Sequence, residues 1–315
     1  MNKEKVINAL KQQTVLFILL FLFILLIIAS PSFREPKNLF NLVRKLSIMG
    51  IISCGLTFPL VSGGLDLSVG SVYGLVGILA IMWQPKGLAM AIIIPLLIAC
   101  AIGIFNGFII NQFNVSPIIV TLGMLSVIQG LILIITGGRN QIGKVDHPYS
   151  QIANSEWLGF NNQIVFFILI TIILYILLQR TSFGRYNYLI GANPDAALIS
   201  GIRIDRIRML TYMVSALCAG IAAILLTSRV ATARPYGGQG VEFEAITAVL
   251  IGGNSIGGGK GSIYNTILGV FMIAMIINGM VLIGLPYATQ IVVKGLLLIA
   301  AVYIDARIRT RELSV

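Results

Sequence analysis

Apolar residues fill long runs of the chain, and polar residues gather between them. Ten such runs lie at roughly 14–30, 46–62, 69–84, 88–110, 117–136, 163–179, 209–227, 243–253, 263–283 and 285–304. At about 1.5 Å of rise per residue, most match the roughly 30 Å of hydrocarbon in a bilayer. Each of these predicts a membrane-crossing helix; the eighth is too short to cross alone as drawn. No segments of about ten residues alternate in polarity, as the strands of a membrane barrel would. The pattern predicts an all-α fold: a polytopic transmembrane helical bundle of about ten spans, one domain over residues 1–315. Polar connections fall at 31–45, 137–162, 180–208 and 228–242. Inside the charge-free stretch 87–138 the break is NQFNVSP at 111–117, where Asn and Pro favour a turn.

Two glycine-rich segments interrupt this pattern. The first, SGGLDLSVGS at 62–71, holds Asp66, the only charged side chain between Lys45 and Lys86. Gly63 and Gly64 can break a helix because glycine tolerates positive φ. Asp66 or Ser68 could then cap a helix starting near Val69. Broken helices within a bilayer persist where they are buried in protein or line a watery cavity, so Asp66 is also a candidate for a polar route. The two roles are compatible. The second segment, GGNSIGGGKGS at 252–262, carries the Gly-Lys pair of a phosphate loop. Asn254, however, stands where the first required glycine belongs, and Gly261 where the hydroxyl belongs. A flexible turn between membrane segments is the expectation there. GSVY at 70–73 recurs as GSIY at 261–264, an offset of 191, and Asn106-Gly107 with Gly123 recurs as Asn278-Gly279 with Gly295, an offset of 172. These matches suggest an internal repeat with one extra helix in the first half. Paired interrupted segments in a repeat point to a transporter's substrate path.

Composition agrees with a membrane solvent. Of 315 residues, 57% are hydrophobic and 10% charged, with a mean hydropathy of +0.95; a soluble domain carries about 25% charged residues. The net charge of +11 does not mark a nucleic-acid partner, because the basic residues lie in short loops and at the two ends without a continuous basic face. With ten spans and the N-terminus inside, twelve of the 22 basic residues face the cytoplasm. They include Lys3, Lys5, Lys11, the cluster Arg203, Arg206 and Arg208, and the C-terminal Arg307, Arg309 and Arg311. The start of the chain reads as a retained first helix. Cys54, Cys100 and Cys218 all lie in apolar segments and read as reduced packing residues, without metal spacing. Among the 33 glycines, Gly103 and Gly107 form a small-xxx-small pair suited to close helix packing.

No catalytic constellation is present, so the chain reads as a non-enzyme with no metal site and no cofactor of its own. His147 is alone in a loop, and Glu242 and Glu244 sit at the start of a span, where an interfacial position is expected. Lys294, inside the last run, is expected to meet a carbonyl or Asp66 within the bundle. The connection 180–208 is more informative. Asn193, Pro194 and Asp195 form a helix start, with a capping side chain, Pro at the first position and an acid in the first turn. Gly201 can end that helix. A short helix across one membrane face suits docking by a partner, or a plain interfacial role.

The chain resembles the membrane permease subunit of ribose-type ABC sugar importers, the ribose, xylose and autoinducer-2-like group. The resemblance covers about residues 40–305. It rests on SGGLDLSVGS, VSPIIVTLGMLSVIQGL, FGRYNYLIGANPDAALISGIRIDRIRMLTYMVSALCAGIAAIL, GVEFEAITAVLIGGNSIGGGKGSIYNTILG and VVKGLLLIAAVYID taken together. It implies a multi-pass protein of the bacterial plasma (inner) membrane with both termini cytoplasmic. The implied partners are a second permease chain, identical or not, two ATPase subunits carrying ATP and Mg, an extracytoplasmic sugar-binding protein and membrane lipid. It further implies that 180–208 is a cytoplasmic coupling loop that engages the ATPase through Asn193, Asp195, Ala196, Ala197, Ser200, Gly201 and Ile202. The broken segments near Asp66 and Asn254 would then supply polar backbone along a sugar route, with Ser68, Asn106, Thr121, Gln129 and Asn278 as further polar candidates. Permeases for nucleosides or branched-chain amino acids are the sibling alternative. An ion-coupled secondary transporter is the alternative from another class, and among intramembrane acids it would rest on Asp66 alone.

Overall fold

The computed structural model describes residues 3–157 and 159–313; the side chains of 3–13, 308, 309 and 311–313 fall outside the description, among them Lys3, Lys5, Lys11, Arg309 and Arg311 of the charge argument. The described chain runs α1 (Lys3–Ala29), α2 (Pro36–Val61), α3 (Val69–Trp83), α4 (Leu88–Gln112), α5 (Pro117–Thr136), α6 (Pro148–Asn154) and α7 (Asn162–Arg180). It continues through α8 (Ser182–Ala192), α9 (Pro194–Ile199), α10 (Ile204–Val230), α11 (Val241–Ile251), α12 (Ile263–Leu282) and α13 (Tyr287–Leu313). Short 3-10 turns lie at Pro31–Arg34 and Gln84–Lys86.

Each of the ten apolar runs falls in a helix, but the count of ten spans is not reached by length and composition. Among the described residues seven helices qualify: α2, α4, α5, α7, α10, α12 and, over Tyr287–Arg307, α13. The other three fall short because the run Thr14–Ala29 is brief, α3 has 15 residues and α11 has 11. The helices also outrun their apolar cores. The connection predicted at 31–45 is helical from Pro36, which takes the first helical position after Glu35, and α10 begins at Ile204 rather than 209. Hydropathy marks the part of a helix fit for hydrocarbon, not where its hydrogen bonds stop.

The bundle is built around α2, α3 and α10, whose apolar side chains are buried nearly throughout; Ile51, Ile52, Phe58, Val72, Val76, Ile78 and Ala219 are all inaccessible. The outer helices α5, α7 and α13 leave large apolar side chains exposed, such as Ile134, Ile172 and Leu296. Such a surface suits lipid or a packed partner helix. Close approach at the centre depends on small residues: a β-carbon on Gly103 would meet the backbone of Tyr212 and Met213, and one on Gly107 the backbone of Met209, so the pair seats α4 on α10.

At one end of the bundle lie α8, α9, the turn between α4 and α5, and the loop 252–262. At the other, strands β1 (Gln141–Ile142) and β4 (Thr232–Ala233) pair antiparallel, and β2 (Glu156–Trp157) and β3 (Phe160–Asn161) form a hairpin. There α6 is fixed to α10 by the Tyr149 and Thr227 hydroxyls, 2.6 Å apart.

One of the two sequence offsets lines up with the helices and their packing. An offset of 172 carries Val69, the start of α3, onto Val241, the start of α11, and Pro117 to within two residues of Tyr287. It matches α2–α3–α4–α5 with α10–α11–α12–α13. Packing follows the same exchange: α10 lies against α3 and α4 as α2 lies against α11 and α12. The two halves run in opposite directions, since α2 ends at the α8–α9 end whereas α10 starts there. The GSVY/GSIY match at offset 191 is not part of this repeat. It would place the start of α3 on the start of α12, and its likeness reflects two helices that each begin after a glycine-rich break.

Candidate functional site

The first break sits between α2 and α3. Pro59 lies in the last turn of α2, and the chain leaves the helix through Gly63, at φ 81°, with Gly64 N–H returning to Pro59 O at 2.8 Å. Asp66 follows, fully buried. Its Oδ1 accepts from Ser68 N at 3.0 Å and from Ser68 Oγ at 2.6 Å, and its Oδ2 accepts from Ser215 Oγ of α10 at 2.8 Å. Ser68 in turn accepts from Asn106 Nδ2 of α4 at 2.9 Å. Thr121 Oγ1 of α5 donates to Leu65 O at 3.2 Å and to Pro117 O at 2.9 Å. Four of the predicted site residues, Asp66, Ser68, Asn106 and Thr121, therefore form one buried cluster with Ser215 that ties α4, α5 and α10 to the break. The capping expectation needs correction. Ser68 occupies the N-cap of α3, but its hydroxyl caps no helix amide: the oxygen accepts from Asn106 Nδ2 while the proton goes to Asp66. Asp66 takes the Ser68 amide just ahead of the helix.

The symmetry-related break, 231–240, brings Gly238 against Gly70 and Gly74 of α3. Gln129 Nε2 holds it by donating to Pro235 O at 3.1 Å. Glu242, expected at an interface, is instead buried beside Gly70, with Oε1 accepting from Gly240 N at 3.2 Å. A β-carbon on Gly70 would strike its carboxylate, so α3 and α11 meet by their first turns. Glu244, on the opposite face of the same turn, pairs with Lys294 of α13 at 2.6 Å. Lys294 thus finds a carboxylate in the bundle, and it is not that of Asp66.

The loop 252–262 is a packed element rather than a flexible turn. Asn254 is buried: its Nδ2 donates to Val249 O at 2.7 Å and to Thr266 Oγ1 at 3.0 Å, and its Oδ1 accepts from Ser262 N at 2.6 Å. Gly259 N–H donates to Val61 O at 2.8 Å, so that amide is turned to the end of α2 and not to a phosphate. A β-carbon on Gly191 of α8 would strike Val61 O and Gly259 N, and one on Gly258 would strike Gly63. Three backbone segments converge there: the end of α8, the end of α2 and this loop. Tyr188 reinforces the junction from α8, donating to Gly261 O and accepting from Gln179 Nε2, both at 2.7 Å. Asn278 belongs to neither break. It exchanges two hydrogen bonds with Asn38 near the opposite end, at 3.0 and 3.1 Å.

The connection 180–208 folds into two helices where the sequence predicts one. Asn193 Oδ1 accepts from Ala196 N at 3.0 Å as the N-cap of α9, Pro194 takes the first helical position, and Asp195 stands exposed in the first turn. Ala197 and Ile202 turn inward onto Ile190. Ser200 Oγ donates back to Ala196 O at 2.8 Å, and Gly201, at φ 78°, closes the helix. Leu198 and Ile199 are left 64% and 88% exposed, a bare apolar face on a six-residue helix. Sequence reading missed α8, Gly191, Tyr188 and Ser215. Ser215 lies in a run of small and apolar residues with no local signal, and α8 is too polar to register as a span. Among the described residues no three His, Cys, Asp or Glu side chains come together as a metal set.

Residues 38–302 match the family described as branched-chain amino acid transport system / permease component. The chain is 38% identical to the ribose import permease protein RbsC of Bacillus subtilis, over 91% of each chain. It is 32% identical to the ribose import permease protein RbsC of Escherichia coli, over 94% of each. It is also 32% identical to the L-arabinose transport system permease protein AraH of E. coli, over 93% of this chain and 90% of the other. No solved structure gives a significant match.

Proposed function

The chain belongs to the branched-chain amino acid transport system / permease component family, and from that premise we propose that it is the membrane subunit of an ATP-driven importer of a monosaccharide, a ribose-like pentose foremost. The sugar would come from an extracytoplasmic binding protein and leave into the cytoplasm. The observation that carries this reading is the 38% identity, over 91% of both chains, to a ribose import permease. ATP would be hydrolysed by two partner ATPase subunits, and a second permease chain would complete the membrane part. The α8–α9 end is taken as cytoplasmic, with both chain termini on that side.

On this reading α9 docks the ATPase through Asn193, Asp195, Ala196, Ser200, Gly201 and the bare Leu198–Ile199 face, while Ala197 and Ile202 fix the helix to Ile190. Motion of α9 reaches the bundle through α8 and the Gly191 junction. The polar residues at the breaks serve by holding the backbone of the half-helices in place. Asp66, Ser68, Thr121, Gln129 and Asn254 bond to protein partners, which supports a framing role along the route; Asn106 gives its amide to Ser68 but keeps a buried Oδ1 with no hydrogen-bond partner among the described residues, an acceptor left over for the route. Asn278 would stabilise the opposite end through Asn38.

Replacing Gly201 by Pro is expected to uncouple ATP hydrolysis from transport while leaving membrane insertion intact. Proline cannot adopt φ 78°, and it removes the amide that donates to Leu198 O at 2.9 Å. The local cost is about 3 kcal/mol, confined to α9 and its link to α10. Substrate-stimulated ATPase activity at the wild-type level in the variant complex would remove the docking assignment.

The reading itself is tested by ATP hydrolysis of the reconstituted complex across pentoses and hexoses, each loaded on the binding protein. Stimulation by one sugar names the substrate. An intact complex that responds to no sugar but to a branched-chain amino acid or a nucleoside would overturn the sugar assignment.

A further inference from the structure

At the α8–α9 end, a cavity of about 270 Å³ opens between α2, α4, α5 and α10, with Gly63, Gly64, Ser116, Pro117, Arg208 and Tyr212 in its wall. At roughly 30 Å³ of liquid per water it has room for about nine water molecules. Among the described residues no carboxylate lines it. We propose that this cavity is a binding site for a phosphate group, presented either by an anionic lipid headgroup or as free phosphate.

Three independent features point to an anion. The cavity receives the N-terminus of the 20-residue α5, which carries no side-chain cap and no acid in its first turn. Proline at its first position offers no amide, and the Ile119 and Val120 amides turn back to Ser116 O, so the helix contributes the positive end of its dipole rather than a ring of free donors. Arg208 supplies a guanidinium on the α10 wall, and among the described residues no carboxylate pairs with it. Tyr212 is 1% exposed, yet its Oη has no hydrogen-bond partner among the described residues and sits at the Gly64 wall, where a side chain on Gly64 would strike it. A buried hydroxyl without a partner is costly, and an acceptor in the cavity would relieve that cost. Asp66 lies about one turn of α10 deeper, with its two oxygens taken by Ser68 and Ser215.

The donors on this wall include the Arg208 guanidinium and the Tyr212 hydroxyl, and a guanidinium beside a helix N-terminus matches a tetrahedral anion better than a neutral sugar, which also needs acceptors. The position, at the turn between two membrane helices and beside the basic cluster Arg203, Arg206 and Arg208, lies where the headgroups of a membrane would reach it. The proposal does not depend on which solute the protein transports.

The test uses the full chain in nanodiscs and reads its melting temperature. In purely zwitterionic phosphatidylcholine, inorganic phosphate is titrated against potassium chloride at matched ionic strength. In the second arm, phosphatidylglycerol replaces part of the phosphatidylcholine. Stabilisation in the first arm identifies free phosphate as a ligand; stabilisation in the second alone identifies a lipid headgroup. In either case Arg208→Gln is expected to weaken the apparent affinity about tenfold, and Tyr212→Phe about threefold. Should Arg208→Gln fail to insert, Tyr212→Phe alone decides. Equal responses of wild type and both variants in the two arms would overturn the proposal, as would stabilisation by a neutral monosaccharide in place of phosphate.

Discussion

Substituting alanine for Gly191 is expected to abolish substrate-stimulated ATP hydrolysis and to lower the melting temperature of the chain. The added β-carbon would overlap Val61 O and Gly259 N. Both obstacles are backbone, so no rotamer change relieves them. Overpacking a tight site costs about 1–3 kcal/mol and occasionally more, and this position belongs at the upper end because three segments must part together. The hydrogen bond from Gly259 N to Val61 O would stretch or break. The functional effect should exceed the stability effect, since the junction is the direct backbone contact between α8, the broken end of α2 and the loop that begins α12. The measurement is ATPase activity with and without loaded binding protein, alongside thermal melting of the same preparation. A Gly191→Ala complex with normal melting and normal stimulation would show that the junction is looser than the contacts imply and carries no coupling.

Asp66→Ala is expected to lose transport and most of the stability of the first break, whereas Asp66→Asn should lose little. Alanine strands the Ser68 amide and the Ser68 and Ser215 hydroxyls, each fully buried. An unsatisfied buried donor costs about 1–3 kcal/mol, so the loss should reach several kcal/mol, and Asn106 would lose its anchored partner as well. Asparagine keeps an acceptor for Ser68, and its amide can donate to a rotated Ser215 hydroxyl. The described partners of Asp66 are three donors and no cation, which is why the neutral isostere should serve. Melting temperature and uptake of the loaded sugar for the two variants, with Ser215→Ala as a third, provide the check. Equal and severe loss in both Asp66 variants would mean that the charge itself is needed.

Much of the α9 region is legible in the amino-acid sequence. The Asn-Pro-Asp start, the Gly201 stop and the short intervening helix are local features, set by capping chemistry and by the one residue that accepts φ 78° freely. The break at Gly63-Gly64 is legible for the same reason. The role of Ser68 is not: a serine ahead of a helix signals a cap, and only the proximity of Asp66 and Asn106 redirects its hydroxyl. Glu242 misleads because a charge at the edge of an apolar run ordinarily faces water. Its burial follows from α3 and α11 meeting at their first turns, a contact between segments far apart in the chain. Lys294 finds the partner in the bundle that its position predicts, but Glu244 takes that place because α11 packs on α13.

Local patterns along the chain are enough to specify a helical membrane protein, where its apolar runs fall, where two of them are broken and where the short helix α9 begins and ends. Those properties depend on hydrophobic length, glycine and proline geometry and capping, all of which act within a few residues. Packing between distant segments sets which buried polar groups satisfy one another, that two short helices meet by their first turns, and that α2 and α10, which line up at an offset of 172, run in opposite directions. A hydrogen bond between Ser215 and Asp66 spans 149 residues. No local pattern encodes it, because a hydroxyl in an apolar run looks the same whether it faces its own helix or a carboxylate on another. Only the packing of α10 against the break distinguishes the two.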